Sequence, residues 1–288
     1  LSLPMFYYFA ITAIYILMTW AIYLPYRVGQ LHFIVVAIMA ICGYAAGYAS
    51  LHWGVPFLIL LIGGALLGAL ISFLVSFAIG DAPCFAVVIV GFTFIYITKT
   101  VVENTPALGS TLGMFGLPLI KGILPIAYLC VLIVGFIIYR FDHSRLGRAA
   151  SAIFVDKSLA TSFGVNVKKM GMGLQTFAGA IGGLSGVLYG FIMGSLFPDF
   201  FTFHIIGVCM TMLFLGGYTT LWGPLLAAPI LWGFPLLLPP EVQSYRVVIY
   251  GVILILILAL KPEGAITRKN LKKLNNLIFR RSKGVEKA

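Results

Sequence analysis

Residues 140–169 read RFDHSRLGRAASAIFVDKSLATSFGVNVKK, and the fold turns on what this stretch is. Long apolar segments flank it on both sides. The stretch itself carries Arg140, Arg145, Arg148, Lys157, Lys168 and Lys169 against only Asp142 and Asp156. Within it, 149–163 is Ala-rich and stops at Gly164, a residue suited to the left-handed position after a helix. The expectation is a single short helix in a polar loop of an apolar chain. Such a loop is where a membrane protein can meet a soluble partner.

Composition explains the flanks. Of 288 residues, 61% are hydrophobic and only 9% charged, and the mean hydropathy is +1.07. Soluble domains carry roughly 25% charged residues. Apolar runs of about 20 residues recur along the chain, the length a helix needs to cross a bilayer. Barrel strands would instead be about 10 residues long with alternating polarity, and no such alternation is sustained. The spans fall at 4–25, 31–50, 55–79, 83–102, 123–140, 172–195, 203–217, 221–238 and 246–260. This is an all-α, polytopic membrane bundle of about nine transmembrane helices, within a range of about 8–10. The 203–217 segment is short, and 221–238 is interrupted by Pro224, Pro229 and Pro235. The two are full helices or a discontinuous pair of the kind that lines transporter cavities.

The net charge of +11 is concentrated in 140–169 and in the tail from Lys261 onward. In a membrane protein that clustering marks cytoplasmic segments and attraction to anionic lipid. It does not mark nucleic acid, for which no motif is present. The tail includes Arg268, Lys269, Lys272, Lys273, Arg280, Arg281, Lys283 and Lys287. Two cytoplasmic segments need an even number of crossings between them, which the last four spans supply. Five spans before Arg140 put the N-terminus outside and the C-terminus in the cytoplasm, with Arg27 in a cytoplasmic loop. The organisation is then a transmembrane domain over 1–265, with its cytoplasmic loop at 141–171, and a basic tail over 266–288. The chain begins at Leu1 rather than Met, so the natural N-terminus is expected upstream. The segment 3–24 lacks a basic leader and reads as a span, not a cleavable signal.

The outer loop 103–122, ENTPALGSTLGMFGLPLIKG, is rich in turn residues. It is a plain connector or a docking surface for whatever delivers substrate. In the sixth span Gly182, Gly186 and Gly190 repeat GxxxG on one face, spacing that lets helix backbones approach closely in lipid. That face packs a neighbour or borders a path. Lys99 and Glu103 are spaced for an i,i+4 pair, and Asp81 before Pro83 reads as a helix N-cap. His32 and His204 sit at span ends. Cys42, Cys84, Cys130 and Cys209 form no CxxC pair and read as buried apolar residues. No HExxH or P-loop motif occurs, so no catalytic residue, metal site or cofactor is expected. With charges scarce at mid-depth, energy for transport would enter through another subunit, and the port is the helix in 149–163.

The sequence resembles the permease subunits of bacterial ABC importers for branched-chain amino acids, the LivM-like family. The resemblance is carried by GRAASAIFVDKSLATSFGVNVKKMGMGLQTFAGAIGGLSGVL at 147–188, LGGYTTLWGPLLAAPIL at 215–231 and RVVIYGVILILILALKPEG at 246–264. Weaker echoes are Val28-Gly29-Gln30-Leu31 and Val90-Gly91-Phe92. It implies a type II-like importer permease in the bacterial cytoplasmic (inner) membrane. The implied partners are a second permease, identical or different, two cytoplasmic ATP-binding subunits, an extracytoplasmic solute-binding protein and the lipid bilayer. It also implies that the loop helix is a coupling helix seated in a groove of the ATPase. The expected coupling residues are Ala152, Phe154, Asp156, Lys157, Ala160, Phe163 and Gly164. The Ala face would pack closely while Phe154, Leu159 and Phe163 fill pockets. The expected pathway or packing residues are Gln30, His32, Thr93, Gly182, Gly186, Gly190, Gly216 and Gly217.

The chain departs from the family pattern at 154–158, at 32–36, and at Tyr218 and Thr219, which stand where the family has Gly-Ser. The first departure predicts a less basic, more apolar groove in the partner. The others leave the substrate open. Two further readings are an autonomous carrier or channel, which needs polar groups at mid-depth, and a membrane-embedded enzyme, which needs a catalytic cluster.

Overall fold

In the computed structural model, residues 3–79, 82–233 and 246–260 are described. The helices are α1 (Leu3–Tyr26), α2 (Ile34–Trp53), α3 (Phe57–Ile79), α4 (Cys84–Glu103), α5 (Ile123–His143), α6 (Arg145–Val155), α7 (Lys157–Ser162), α8 (Val167–Met193), α9 (Phe203–Gly216), α10 (Trp222–Gly233) and α11 (Arg246–Leu260). Two two-residue strands, β1 (Met114–Phe115) and β2 (Ser195–Leu196), pair antiparallel. Among the described residues, seven helical segments are long and apolar enough to cross a membrane. They comprise α1 to α5, α8 and a segment, Pro198–Gly216, that contains α9. α10 has 12 residues and α11 has 15. Positions 234–238 of the expected eighth span, the Asp81 cap and the 261–288 tail lie outside the described residues.

The chain divides into two compact units, 1–210 and 211–288. In the first, α8 is the central element and packs along α1, α2 and α3. Glycine sets the contacts with α2 and α3, because van der Waals packing rather than water exclusion holds helices together in lipid. A Cβ on Gly182 would meet the Val35 carbonyl at 2.9 Å, and one on Gly186 would run into the Met39 carbonyl. The adjacent stripe, Gly179 and Gly183, presses on Gly68 and Gly64 of α3. Gly182 and Gly186 of the small-residue ladder therefore pack against α2, while Gly190 meets the Leu117 and Leu196 side chains. Around this centre, α3, α4 and α5 turn large apolar side chains outward, among them Leu66, Phe77, Phe85, Leu132 and Phe136. Such a surface suits lipid or another membrane subunit.

One expectation is corrected. The single helix over 149–163 is two helices, broken at Asp156, whose backbone is extended at φ −151° and ψ 112°. The break replaces helix continuation with a cap: the Asp156 carboxylate accepts hydrogen bonds from the Ser158 and Leu159 amides at 2.8 and 3.0 Å. Ser144 caps α6 by accepting from the Gly147 amide at 3.2 Å, and Asn166 caps α8 by accepting from the Lys169 amide at 2.9 Å. Gly164 closes α7 with φ 80°, a conformation that penalises any Cβ.

In the second unit, Gly216 and Gly223 touch backbone to backbone where α9 turns into α10, and Gly217 takes φ 107° at that turn.

Candidate functional site

The α6–α7 pair lies between two spans and keeps an apolar outer surface. Val155 is 84% exposed, Phe163 79% and Leu159 55%. Leu146 and Phe154 are exposed as well, Phe154 against the ring of Tyr26 at 5.6 Å between centroids. Ala152, Asp156, Lys157 and Gly164 are also exposed. Ala160 is not: it is buried and packs inward, with its carbonyl accepting the Val165 amide at 3.1 Å. Its expected role as a contact residue is corrected to one of holding α7 in place. Gln30, Lys157, Ser158, Thr161, Gly164 and Lys168 line a polar cleft of about 670 Å³.

Beneath α6 lies a buried charged network that joins three elements. Arg27, just after α1, pairs with Asp142 at the end of α5 at 3.4 Å, and both side chains are under 10% exposed. The Tyr23 hydroxyl donates to the other Asp142 oxygen at 2.7 Å. The Arg27 guanidinium donates to Ser151 Oγ on α6 at 2.7 Å, and Ser151 in turn donates to the Gly147 carbonyl at 3.0 Å. Gly147 fits because the turn from α5 to α6 leaves no room: a Cβ there would meet the Asp142 backbone at 2.9 Å. α6 is thus tied by polar contacts to the end of α5 and to Arg27 just after α1. Arg27 was legible only as a topology signal and Asp142 only as a charge in the loop. Their pairing spans more than a hundred residues, and no local pattern announces it.

A second buried network contains two of the expected pathway residues. Gln175 donates to Gln30 Oε1 at 2.7 Å, and Ser72 Oγ donates to the Gln175 carbonyl at 2.6 Å. The Ser72 hydroxyl has one hydrogen, so His32 Nε2, 2.9 Å away, must be the donor to it. His32 therefore carries a proton on Nε2, and burial, which pushes its pKa down to about 3, favours the neutral ring. Gln30 and His32 are 8% and 1% exposed, and they tie the α1–α2 loop to α3 and α8. Thr93 lies apart from them. It is exposed on α4, its hydroxyl donating to the Ile89 carbonyl at 3.0 Å.

At the opposite end of the spans, Lys99 pairs with Glu103 at 3.6 Å, as its spacing predicts, and more closely with Asp199 at 2.6 Å. The 103–122 loop is ordered by its strand pairing with Ser195–Leu196 and by Gly113 and Gly194, both at positive φ. Leu112, Phe115 and Leu119 stay exposed on it. Among the described residues there is no cluster of His, Cys, Asp or Glu able to hold a metal.

A family model described as the permease component of a branched-chain amino acid transport system matches residues 5–258. The chain belongs to this family. The high-affinity branched-chain amino acid transport system permease protein LivM of Escherichia coli (strain K12) is 28% identical over 152 residues, which are 52% of this chain and 36% of that protein. The protein of the same description from Salmonella typhimurium is 28% identical over 149 residues, 51% of this chain and 35% of its own length. The similarity thus spans about a third of each relative's length. No solved structure matches the chain. Gly147, the first residue of the 147–188 stretch, lies near the start of α6, beside the Arg27 network.

Proposed function

We propose that this chain is the transmembrane permease subunit of an ATP-driven importer in a bacterial cytoplasmic membrane. It forms half of the translocation pathway for a small polar solute such as a branched-chain amino acid. ATP hydrolysis belongs to partner chains, a second permease completes the pathway, and an extracytoplasmic binding protein delivers the solute. The reading is supported by family membership and by relatives whose names specify branched-chain amino acid transport.

One observation carries it: a capped helix pair outside the spans exposes Val155, Leu159 and Phe163, and its underside is hydrogen-bonded to α1 through Ser151 and Arg27. Exposed aromatic and aliphatic anchors on a short helix suit insertion into a partner's groove. Closure of an ATPase dimer around α6–α7 would move Ser151 and Asp142, and with them the ends of α1 and α5. On the pathway side, α4 exposes Ile89, Thr93, Tyr96 and Thr100 at helical spacing. This weakly polar stripe, on an otherwise apolar surface, is the face that borders the solute path.

The test is purification from the native host followed by reconstitution. ATPase and second-permease chains should co-purify, and vesicles holding this chain alone should not accumulate solute. Uptake by the chain alone would overturn the reading.

A further inference from the structure

A groove of about 690 Å³ lies at the 140–169 end, bounded by α1, α5, α6 and α8. Its depth is apolar, lined by Leu24, Phe141 and Phe177, each inside a candidate membrane span. Its rim carries two exposed cations, Arg145 at the start of α6 and Lys169 in the first turn of α8. Among the described residues neither cation takes part in an ion pair, and no acid lines the groove. The acids close by in sequence are engaged elsewhere: Asp142 holds Arg27, and Asp156 caps α7. The groove therefore crosses the boundary between membrane interior and aqueous surface, with hydrocarbon character inside and uncompensated positive charge at its mouth.

We propose that this groove binds one anionic phospholipid, its acyl chain along Leu24, Phe141 and Phe177 and its phosphate between Arg145 and Lys169. Both halves of the site are needed by that ligand. A free anion would leave the apolar depth unfilled, and a zwitterionic lipid would bring a third cation to the rim. Basic pockets between membrane helices recognise anionic headgroups by this combination. The bound lipid bridges α6 to α8, so it braces the helix that carries Ser151. The proposal rests on the membrane placement of the spans and not on the ATPase coupling.

The full chain, purified in detergent, is titrated with phosphatidylglycerol, with phosphatidylcholine of matched acyl chains, and with inorganic phosphate. Native mass spectrometry and thermal unfolding are the readouts. Phosphatidylglycerol should stay bound and raise Tm, phosphatidylcholine should do so weakly, and phosphate alone should not. The double variant Arg145→Gln/Lys169→Gln should bind phosphatidylglycerol roughly 30-fold more weakly, with an unchanged Tm in lipid-free detergent. Gly173 lines the groove, and a Cβ built on it meets nothing within 4 Å. Gly173→Leu should therefore fill the groove and displace the lipid with both cations intact. Equal binding of the two lipids, wild-type retention by both variants, or a phosphate effect matching that of the lipid would overturn the proposal. So would a crosslinker at Ala149 that captures a partner polypeptide in place of lipid.

Discussion

His32 shows how one side chain can set a pH limit on the fold. Its ordinary pKa of 6.5 is pushed down to about 3 by burial, while Nε2 donates to Ser72. The unfolded chain accepts a proton that the folded chain refuses. Stability is therefore complete above pH 6.5 and is lost as the pH falls from there toward about 3. At pH 5 the loss comes to about 2 kcal/mol, read as a drop in Tm relative to neutral pH. His32→Gln should flatten that dependence, and an equally steep acid loss in the variant would remove His32 as its source. Glycines offer a second test at this scale. Gly186→Ala forces a methyl against the Met39 carbonyl, and should cost about 1–3 kcal/mol because backbone cannot yield cheaply. Gly63→Ala meets nothing within 4 Å and should leave Tm unchanged or slightly higher. Thermal unfolding of the two variants side by side checks the contrast.

Among the elements, the α6–α7 break is the one on which the proposed coupling depends. Asp156→Ala removes the α7 cap and should cost about 1 kcal/mol. Hydrogen exchange would show the loss first in 157–162, whereas Asp156→Asn, which still caps, should retain most of the protection. In the reconstituted importer, Asp156→Ala should lower uptake per ATP hydrolysed, and unchanged stoichiometry would separate α7 from coupling. The Arg27–Asp142 pair binds α1, α5 and α6 into one body. Asp142→Ala leaves the Arg27 charge buried without its carboxylate, a change that costs about 3–5 kcal/mol. A drop in Tm of the size expected from that cost, relieved in the Arg27→Met/Asp142→Leu double variant, is the outcome to look for. No relief in the double variant would mean that the pair acts through something other than its charge.

At the scale of the whole molecule, the order of spans puts α6–α7 and the 103–122 loop at opposite ends of the first unit. Single cysteines at Phe163 and Leu112, both exposed, test the orientation. The native cysteines are buried except for the half-buried Cys84, so a Cys84→Ser background suffices. A membrane-impermeant maleimide applied to intact cells should label the Leu112 site, and the Phe163 site only after permeabilisation. The reverse pattern would invert the topology and remove the coupling proposal. Most span limits were legible because a bilayer imposes a length and a polarity that composition registers directly. The expected 55–79 and observed Phe57–Ile79 differ by two residues. The 149–163 stretch reads as one helix along the sequence, yet it breaks at Asp156. Ala, Phe and Ser on either side of Asp156 favour helix well enough, and only the cap geometry reveals the interruption.

By itself the sequence determined the membrane class, the approximate spans, the two basic segments and the family resemblance. These follow from hydropathy, charge and short motifs, all of which are local along the chain. Tertiary structure decided which faces meet. Gly182 and Gly186 are spent on packing α2 and Gly190 on the Leu117 and Leu196 side chains, and Gln30 and His32 are locked to Gln175 and Ser72. Asp142 is matched to Arg27, and Arg145 is brought to the same groove as Lys169. Spacing along one helix says that a face is close-packed or polar. Only the neighbour's position says what fills it, because in lipid the contacts are chosen by shape and hydrogen bonding between residues far apart in the chain.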